Sequence, residues 1–490
     1  MIIKKYLVPF GFGLVGIFSF APYSIKPLIF LSYAYLIREI VYRNKNNFTK
    51  LLFWSLGHWG FGMSWIIVSV YYYGNTGIAL SIIIFISLIL ILTIVFSLPL
   101  LVLKVRLFNG LKYSKAYEIL YVSSFFIISE WSTYYLLNGV PWIIPGIIFL
   151  DTITQNIYPI LGVAGGSFIV YIFSNLIALF WDLNRRISIG IFIGLFVLLI
   201  PRHEDIQNNS DFITISIIQP SSDPFLKYTN GYRDKIENNL LRLASEVPIE
   251  SKLVIFPEAE LPYALESAEF SLFKEKLDQS KTIITGAWHF SDKKLFNSMV
   301  NLNSGQIYNK VHLVPFGEYI PFISSLRGLI SFFDMPMSNV AHGKPVQEQM
   351  NYIDNKQINF SPLICYDIAF GNTVRKSNKS SLFIINISND TWFGSSIGPH
   401  HHLDIARVRS IENNKWLVRA TNDGFSAVID NKGTIVDKLD KGISGLVTSR
   451  IGLINKTTIY NNYGYYFPYL LALIIVFLSA IIKLCSKRSF

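Results

Sequence analysis

Eight long runs of this 490-residue chain are apolar almost throughout, and they restrict the fold more than any other feature. A backbone in hydrocarbon finds no water to bond, so a run that enters a bilayer must close its own hydrogen bonds as a helix. Roughly 20 mostly apolar residues are enough to cross. Seven such runs lie near 6–22, 27–42, 51–72, 77–103, 117–137, 159–181 and 186–201, and an eighth near 466–482. The first follows Lys4 and Lys5 and ends in the small-x-small triplet Ser19-Phe20-Ala21, the outline of a signal peptide. Pro22 directly after the triplet is a poor residue for cleavage, so the run reads as a retained helix.

Composition agrees: 51% of residues are hydrophobic and 15% charged, against roughly 25% charged in an ordinary soluble domain. A purely soluble protein is excluded. The net charge of +11 would suggest nucleic acid if it lay on one folded surface. Instead, residues 1–200 hold thirteen Lys/Arg against five acids and the tail adds Lys483, Lys487 and Arg488, while 201–465 is balanced. Such a surplus is membrane-topology charge, and nucleic acid is rejected as a partner. With the N-terminus in the cytoplasm, Lys4, Lys5, Arg38, Arg43, Lys45, Lys50, Lys104, Arg106, Lys112, Lys115, Arg185, Arg186 and the tail all fall on that side, and among the short outer loops only Lys26 is misplaced. The expected domains are a seven-helix membrane part over 1–201, an extracytoplasmic part over 202–465, and a last helix with a cytoplasmic tail over 466–490.

The extracytoplasmic part reads as α/β. Runs rich in Ile, Val and Phe at Ile213–Gln219, Leu253–Phe256, Thr282–Trp288, Ser298–Leu302, Gln306–Leu313, Ile358–Ile364, Leu382–Ile387 and Trp416–Ala420 predict strands. Helical patterns cover Asn230–Ala244, Leu265–Leu277 and His401–Asn413.

Three segments end or follow a strand with a reactive side chain, where an α/β sheet usually builds its site. They present Glu258, Lys310 and Cys365. A thiol attacks a carbonyl as thiolate, a carboxylate can take its proton, and an ammonium can hold the oxyanion that forms, so together they suffice for acyl transfer. Taken singly, Glu258 could be a helix cap, Lys310 an exposed strand lysine and Cys365 core. The other cysteine, Cys485, leaves no disulfide framework to build. Between Glu318 and Cys365, the segment 322–337 is more apolar than a loop needs; with Phe332 and Phe333, and with Phe225, Leu226 and Tyr228, it suits a lipid acyl chain, ordinary core packing being the alternative.

The combination of Phe256-Pro257-Glu258, Lys310 with His312-Leu-Val-Pro-Phe-Gly-Glu318-Tyr319, and Ile364-Cys365-Tyr366 resembles the Glu-Lys-Cys signature of the nitrilase superfamily. Ser388-Asn-Asp-Thr-Trp392-Phe-Gly394, Gly398-Pro399, His402 to Arg409 and Arg419-Ala-Thr-Asn422 resemble its membrane branch, the bacterial apolipoprotein N-acyltransferases. So do Gly60 to Trp65, Glu130-Trp131 and Pro141-Trp142. The resemblance implies about eight transmembrane helices, with an α-β-β-α sandwich between the seventh and eighth. It implies Glu258 as general base, Lys310 as oxyanion stabiliser, Cys365 as nucleophile, and Glu318 and the Tyr366 N–H in support, with Tyr228, Phe332, Phe333, Asp367 and Trp392 toward substrate. The implied reaction is a ping-pong transfer from a phospholipid donor, through a thioester, to the α-amine of a diacylglyceryl lipoprotein, with no cofactor and no metal. A monomer in the bacterial inner membrane, its catalytic domain periplasmic, is expected. Rival readings are a membrane-tethered amidohydrolase and a non-catalytic lipoprotein-binding paralogue. The chain departs from the family pattern at Pro220-Ser221, where Gly-Asn is usual, at Tyr228, where tryptophan is common, at Asp367, where glutamate is usual, and after Trp131, where an arginine is often found.

Other motifs compete weakly. Gly394-Ser-Ser396-Ile-Gly398 fits a serine-hydrolase elbow, but no histidine follows His402 to serve it. His400, His401 and His402 are adjacent and diverge on a helix, which favours a helix start over a metal site. Glu130 in an apolar helix is either functional or hydrogen-bonded within the bundle.

Overall fold

The computed structural model describes residues 2–43, 47–73, 77–103, 114–136, 139–202, 211–223, 226–229, 231–314, 318, 340–344, 350–353 and 357–488. The chain divides into two compact units, one of Met1–Ser64, Ile82–His203 and Asn462–Phe490, the other of Trp65–Ser81 and Glu204–Asn461. The second unit takes in, besides Glu204–Asn461, the end of the third apolar run and the start of the fourth.

The first unit is helical. It holds α1 (Ile2–Ile17), α2 (Leu28–Ile37, continued by a π turn to Tyr42) and α3 (Asn47–Gly62). After α4 (Trp65–Val68) come α5 (Ile78–Val102), α6 (Lys115–Tyr135), α7 (Tyr158–Leu183) and α8 (Arg185–Gly194), with α14 (Phe467–Arg488) near the end of the chain. All eight apolar runs are therefore helical over most of their length. Among the described residues, three stretches are long and apolar enough to cross a membrane: Ile78–Val102, Ile153–Leu183 and Gly464–Ile482. A fourth is added if Phe48–Gly62 and Trp65–Tyr71 form one broken span. The others fall short for visible reasons: α2 has ten residues, and α6 carries Glu118 and Glu130.

Small residues let α1 and α3 meet backbone to backbone, the usual means of packing helices where lipid gives no hydrophobic drive. A β-carbon on Gly13 would stand 2.0 Å from the Trp54 carbonyl oxygen, and one on Gly57 2.1 Å from that of Phe10. On α6, Glu130 is buried and accepts a hydrogen bond from the Tyr171 hydroxyl at 2.6 Å, an internal partner of the kind expected.

The second unit is built on two six-stranded sheets. One holds β1 (Phe212–Gln219), β2 (Leu253–Ile255), β3 (Thr282–Ser291), β4 (Lys294–Asn301) and β5 (Ile307–Asn309). The other holds β6 (Met350–Ile353), β7 (Gln357–Ile364), β8 (Phe383–Ser388), β9 (Trp416–Thr421), β10 (Ser426–Ile429) and β11 (Ile435–Leu439), and β12 (Gly445–Gly452) returns to the first. The orders are β12-β1-β2-β3-β4-β5 and β11-β10-β9-β8-β7-β6. Each sheet has a parallel trio at its centre, β1-β2-β3 and β7-β8-β9.

Alternation along the strands sorts the core into layers. Leu253 and Ile255 of β2 join Ile215, Ile217, Ile284, Phe360, Ile364, Ile385 and Val418 between the sheets. Val254 and Phe256 face the other way, against Ile236, Leu240 and Leu243 of α9 (Tyr232–Ser245) and Phe270 and Phe273 of α10 (Ala268–Glu275). On the second sheet, α11 (Gly371–Ser377) packs against β7 and α12 (Gly398–Asn413) against β9. The result is an α-β-β-α sandwich.

Every expected strand is present, though the last part of Gln306–Leu313 is not strand: β5 stops at Asn309 and frees Lys310. Strands β6, β10, β11 and β12 were not anticipated. Three of these, β6, β11 and β12, lie at sheet edges, where residues such as Asp437, Lys438 and Arg450 interrupt the apolar pattern.

Candidate active site

The three expected groups all follow the ends of sandwich strands. Glu258 comes three residues after β2, in a turn where Ala259 takes φ +40°. Gly286 of β3 lies under this turn; a β-carbon there would stand 2.4 Å from the Ala259 nitrogen and 2.6 Å from the Glu258 Cα. Lys310 directly follows β5, and Cys365 directly follows β7 at φ +46°, a backbone region that non-glycine residues seldom hold. All three are buried.

Lys310 stands between two carboxylates. Its Nζ donates to Glu258 Oε1 and to Glu318 Oε1, each at 2.9 Å. Burial alone would lower the lysine, but Glu258 and Glu318 outweigh it and hold Lys310 well above its ordinary value, which favours the ammonium. Asn297 of β4 ties the carboxylates together, its Nδ2 donating to Glu258 Oε1 at 2.7 Å and to Glu318 Oε1 at 3.0 Å. The remaining oxygens meet backbone: Asn389 N–H donates to Glu258 Oε2 and Val314 N–H to Glu318 Oε2, both at 2.8 Å.

The thiol is held in its protonated form. Burial raises Cys365, the Glu258 charge raises it further, and the Lys310 charge opposes them without prevailing. A thiol in this state needs a base at the moment of attack. Glu258 Oε2 accepts one backbone hydrogen bond and keeps a second lone pair.

Asp367 is fully buried in the turn that begins at Cys365. It accepts from Ile364 N–H at 3.2 Å, from His312 N–H at 2.8 Å and from the Tyr308 hydroxyl at 3.0 Å. Burial pushes its carboxyl up to about 6. Both of its oxygens are thus engaged by groups of this chain. Tyr366 packs edge-on against Phe370. Tyr228 is 58% exposed, beside the buried Lys227, and Trp392 is half-buried with its carbonyl accepting from Ser69 Oγ at 2.8 Å. Phe332, Phe333, Phe225 and the apolar segment 322–337 lie outside the described residues.

Sequence reasoning missed Asn297, Ser388, Asp390 and the supporting roles of His402 and Arg419. A signal was available for Arg419, a charged side chain in an otherwise apolar strand. The weaker motifs resolve locally. Ser396 accepts the Gly398 N–H at 3.1 Å at the start of α12, and His402 points to Asp390 and the Cys365 carbonyl.

Two family models match the chain: an apolipoprotein N-acyltransferase N-terminal domain over residues 12–176 and a carbon-nitrogen hydrolase over 214–455. A Haemophilus influenzae protein named apolipoprotein N-acyltransferase is 31% identical, over 99% of this chain and 96% of its own. Proteins of the same name from Vibrio parahaemolyticus and Pasteurella multocida are 30% and 28% identical, over 94% and 100% of this chain and 94% and 97% of theirs. Among solved structures, an amidase of the nitrilase superfamily from Nesterenkonia is 17% identical over 50% of this chain and 92% of its own, at a TM-score of 0.35.

Proposed function

Because the chain belongs to the apolipoprotein N-acyltransferase family, we propose that it moves an acyl chain from phospholipid to the N-terminal α-amine of diacylglyceryl lipoproteins through a thioester on Cys365. The observation that carries this reading is the Lys310 ammonium held 2.9 Å from Glu258 and from Glu318, with its charge and that of Glu258 acting on the Cys365 thiol.

In the first half-reaction Glu258 takes the thiol proton as sulfur attacks the ester carbonyl. Lys310 and the Tyr366 N–H stabilise the oxyanion, and the same proton passes from Glu258 to the departing lysophospholipid oxygen. In the second, the lipoprotein amine attacks the thioester, Glu258 accepts the amine's proton, and the amide forms as the thiolate leaves and is reprotonated. Tyr228 and Trp392 are assigned to the substrate approach, and Asp367 to support of the nucleophile's turn.

The membrane layout proposed with this activity has eight spans, with the second unit on the periplasmic face. It is supported by the eight helical runs and by the Lys/Arg surplus beside the cytoplasmic ends. A cysteine introduced at Ile249, 83% exposed, should react with an impermeant maleimide from the periplasm of intact spheroplasts. Reaction only after lysis would overturn the orientation.

The chemistry is tested by incubating the full-length protein with phospholipid and no acceptor. A Cys365-bound acyl group labile to neutral hydroxylamine is expected, discharged on adding a diacylglyceryl peptide. Triacylated product without any such group would mean direct transfer, and discharge by water alone would mean a hydrolase.

A further inference from the structure

A buried polar cluster under the nucleophile has no part in the chemistry above. His402 of α12, Asp390 after β8 and Arg419 of β9 have no exposed surface. Arg419 Nη2 donates to Asp390 Oδ2 at 2.6 Å and lies 2.9 Å from His402 Nδ1, while its Nη1 donates to Asn386 Oδ1. Ser388 Oγ donates to Asp390 Oδ1 at 2.8 Å. His402 Nε2 lies 3.3 Å from the carbonyl oxygen of Cys365. Packing alone does not call for charges this deep, since apolar residues of similar volume often serve as well or better.

The carbonyl partner fixes the Nε2 side of the imidazole. A carbonyl oxygen only accepts, so Nε2 carries the proton that bonds it, while Nδ1 lies between Arg419 Nη2, a donor, and Asp390 Oδ1, an acceptor 3.0 Å away. Burial first, and then the Arg419 charge, hold His402 below its ordinary value against the opposite pull of Asp390. The oxygen that this ring holds belongs to the peptide joining Cys365 to Tyr366. That peptide is not among the cis bonds, and a trans peptide carries its C=O and N–H on opposite edges. Tethering the oxygen on one side therefore turns the Tyr366 N–H toward the other. Cys365 at φ +46° is also a conformation that persists only when its surroundings enforce it.

We propose that His402, oriented by Arg419 and Asp390, is a positioning residue that fixes the Cys365–Tyr366 peptide so that the Tyr366 N–H faces the oxyanion formed during acyl transfer. The inference rests on Cys365 being the nucleophile. Its distinctive consequence is that reactions of Cys365 divide by whether they form an oxyanion. Attack on an ester does; displacement at a saturated carbon does not.

The experiment compares two rates in the full-length protein in mixed phospholipid–detergent micelles, without acceptor. One is formation of the hydroxylamine-labile acyl group, and the other is alkylation of Cys365 by iodoacetamide. In His402→Leu, acylation should slow by about 30- to 300-fold, in the range of a lost oxyanion donor, while alkylation stays within threefold of wild type. His402→Gln, whose amide N–H can reach the same carbonyl, should acylate within tenfold of wild type. Acylation of His402→Leu within threefold of wild type would overturn the proposal. So would parallel loss of both rates in both variants, which would make His402 a packing residue of the pocket. Absence of the thioester in the wild-type protein would instead remove the assignment of Cys365 as nucleophile.

Discussion

The sheet that leads to Glu258 and Lys310 brings three charged side chains together, whereas the sheet that leads to Cys365 and Asn389 holds one charged pair, Arg419 with Asp390, and directs other polar groups to holding backbone. On the first side, one ammonium meets two carboxylates at 2.9 Å and Asn297 bonds both. On the second, Asp367 gathers the N–H groups of Ile364 and His312, and His402 reaches the Cys365 carbonyl. In the proposed mechanism one sheet supplies the means of moving a proton, and the other the geometry in which a covalent bond forms. Substitutions on the first should act through charge and leave the thiol correctly placed. Those on the second should act through geometry.

Cys365→Ala should give the largest effect, with no acyl-enzyme detectable by mass spectrometry. Cys365→Ser should be nearly as poor, because a hydroxyl of far higher pKa resists deprotonation by a single carboxylate. Detectable turnover by the alanine variant would break the division of labour outright.

Glu258→Gln and Lys310→Met come next, each expected to lower the acylation rate by about a hundredfold or more. Both keep the shape of the site. If either changed KM for phospholipid and left the acylation rate alone, the first sheet would be binding substrate rather than moving charge.

Asn297→Leu should slow acylation by about tenfold, since it removes a neutral donor shared by two carboxylates and leaves the ion pairs in place. An effect as large as that of Lys310→Met would show that alignment, not charge, limits the first sheet.

The smallest effect separates the sheets by pH. Asp367 is raised by burial to about 6 from an ordinary 3.8, so between those values the folded protein binds a proton that the unfolded chain does not. Stability from this group therefore grows as pH falls from about 6 toward 4 and is lost as pH rises through 6. Asp367→Asn cannot titrate. Thermal melts in detergent should show the wild type gaining on the variant by about 2–3 kcal/mol at most across that window. A constant difference would mean that Asp367 is ionised throughout.

Much of this arrangement was legible in the sequence, and the reasons differ by residue. Glu258, Lys310 and Cys365 could be found because each follows a strongly apolar strand and carries a side chain that such a position rarely needs. Two edge strands, β11 and β12, went unseen because they carry charge that hides their alternation, as Lys438 and Arg450 do. Asn297 went unseen because an amide in a strand gives no sign of which face it lies on without the register; only the pairing of Trp288 with Asn297 settles it. His402 was noticed for its neighbours, His400 and His401, when its importance comes from Asp390 and Cys365, which are remote in the chain.

The membership of Trp65–Ser81 in the second unit bears on how this protein can be cut. The chain crosses between units four times, at 64–65, 81–82, 203–204 and 461–462. A soluble fragment made by excising 204–461 would lack the Trp65 ring that meets Phe393 edge-on with centroids 4.7 Å apart, and the Ser69 hydroxyl that bonds the Trp392 carbonyl at 2.8 Å. Those contacts brace the turn that begins at Asn389, whose N–H donates to Glu258. Such a fragment would expose the apolar underside of that turn to water, so a soluble version for crystallography or inhibitor screening should carry residues 65–81 joined by a linker.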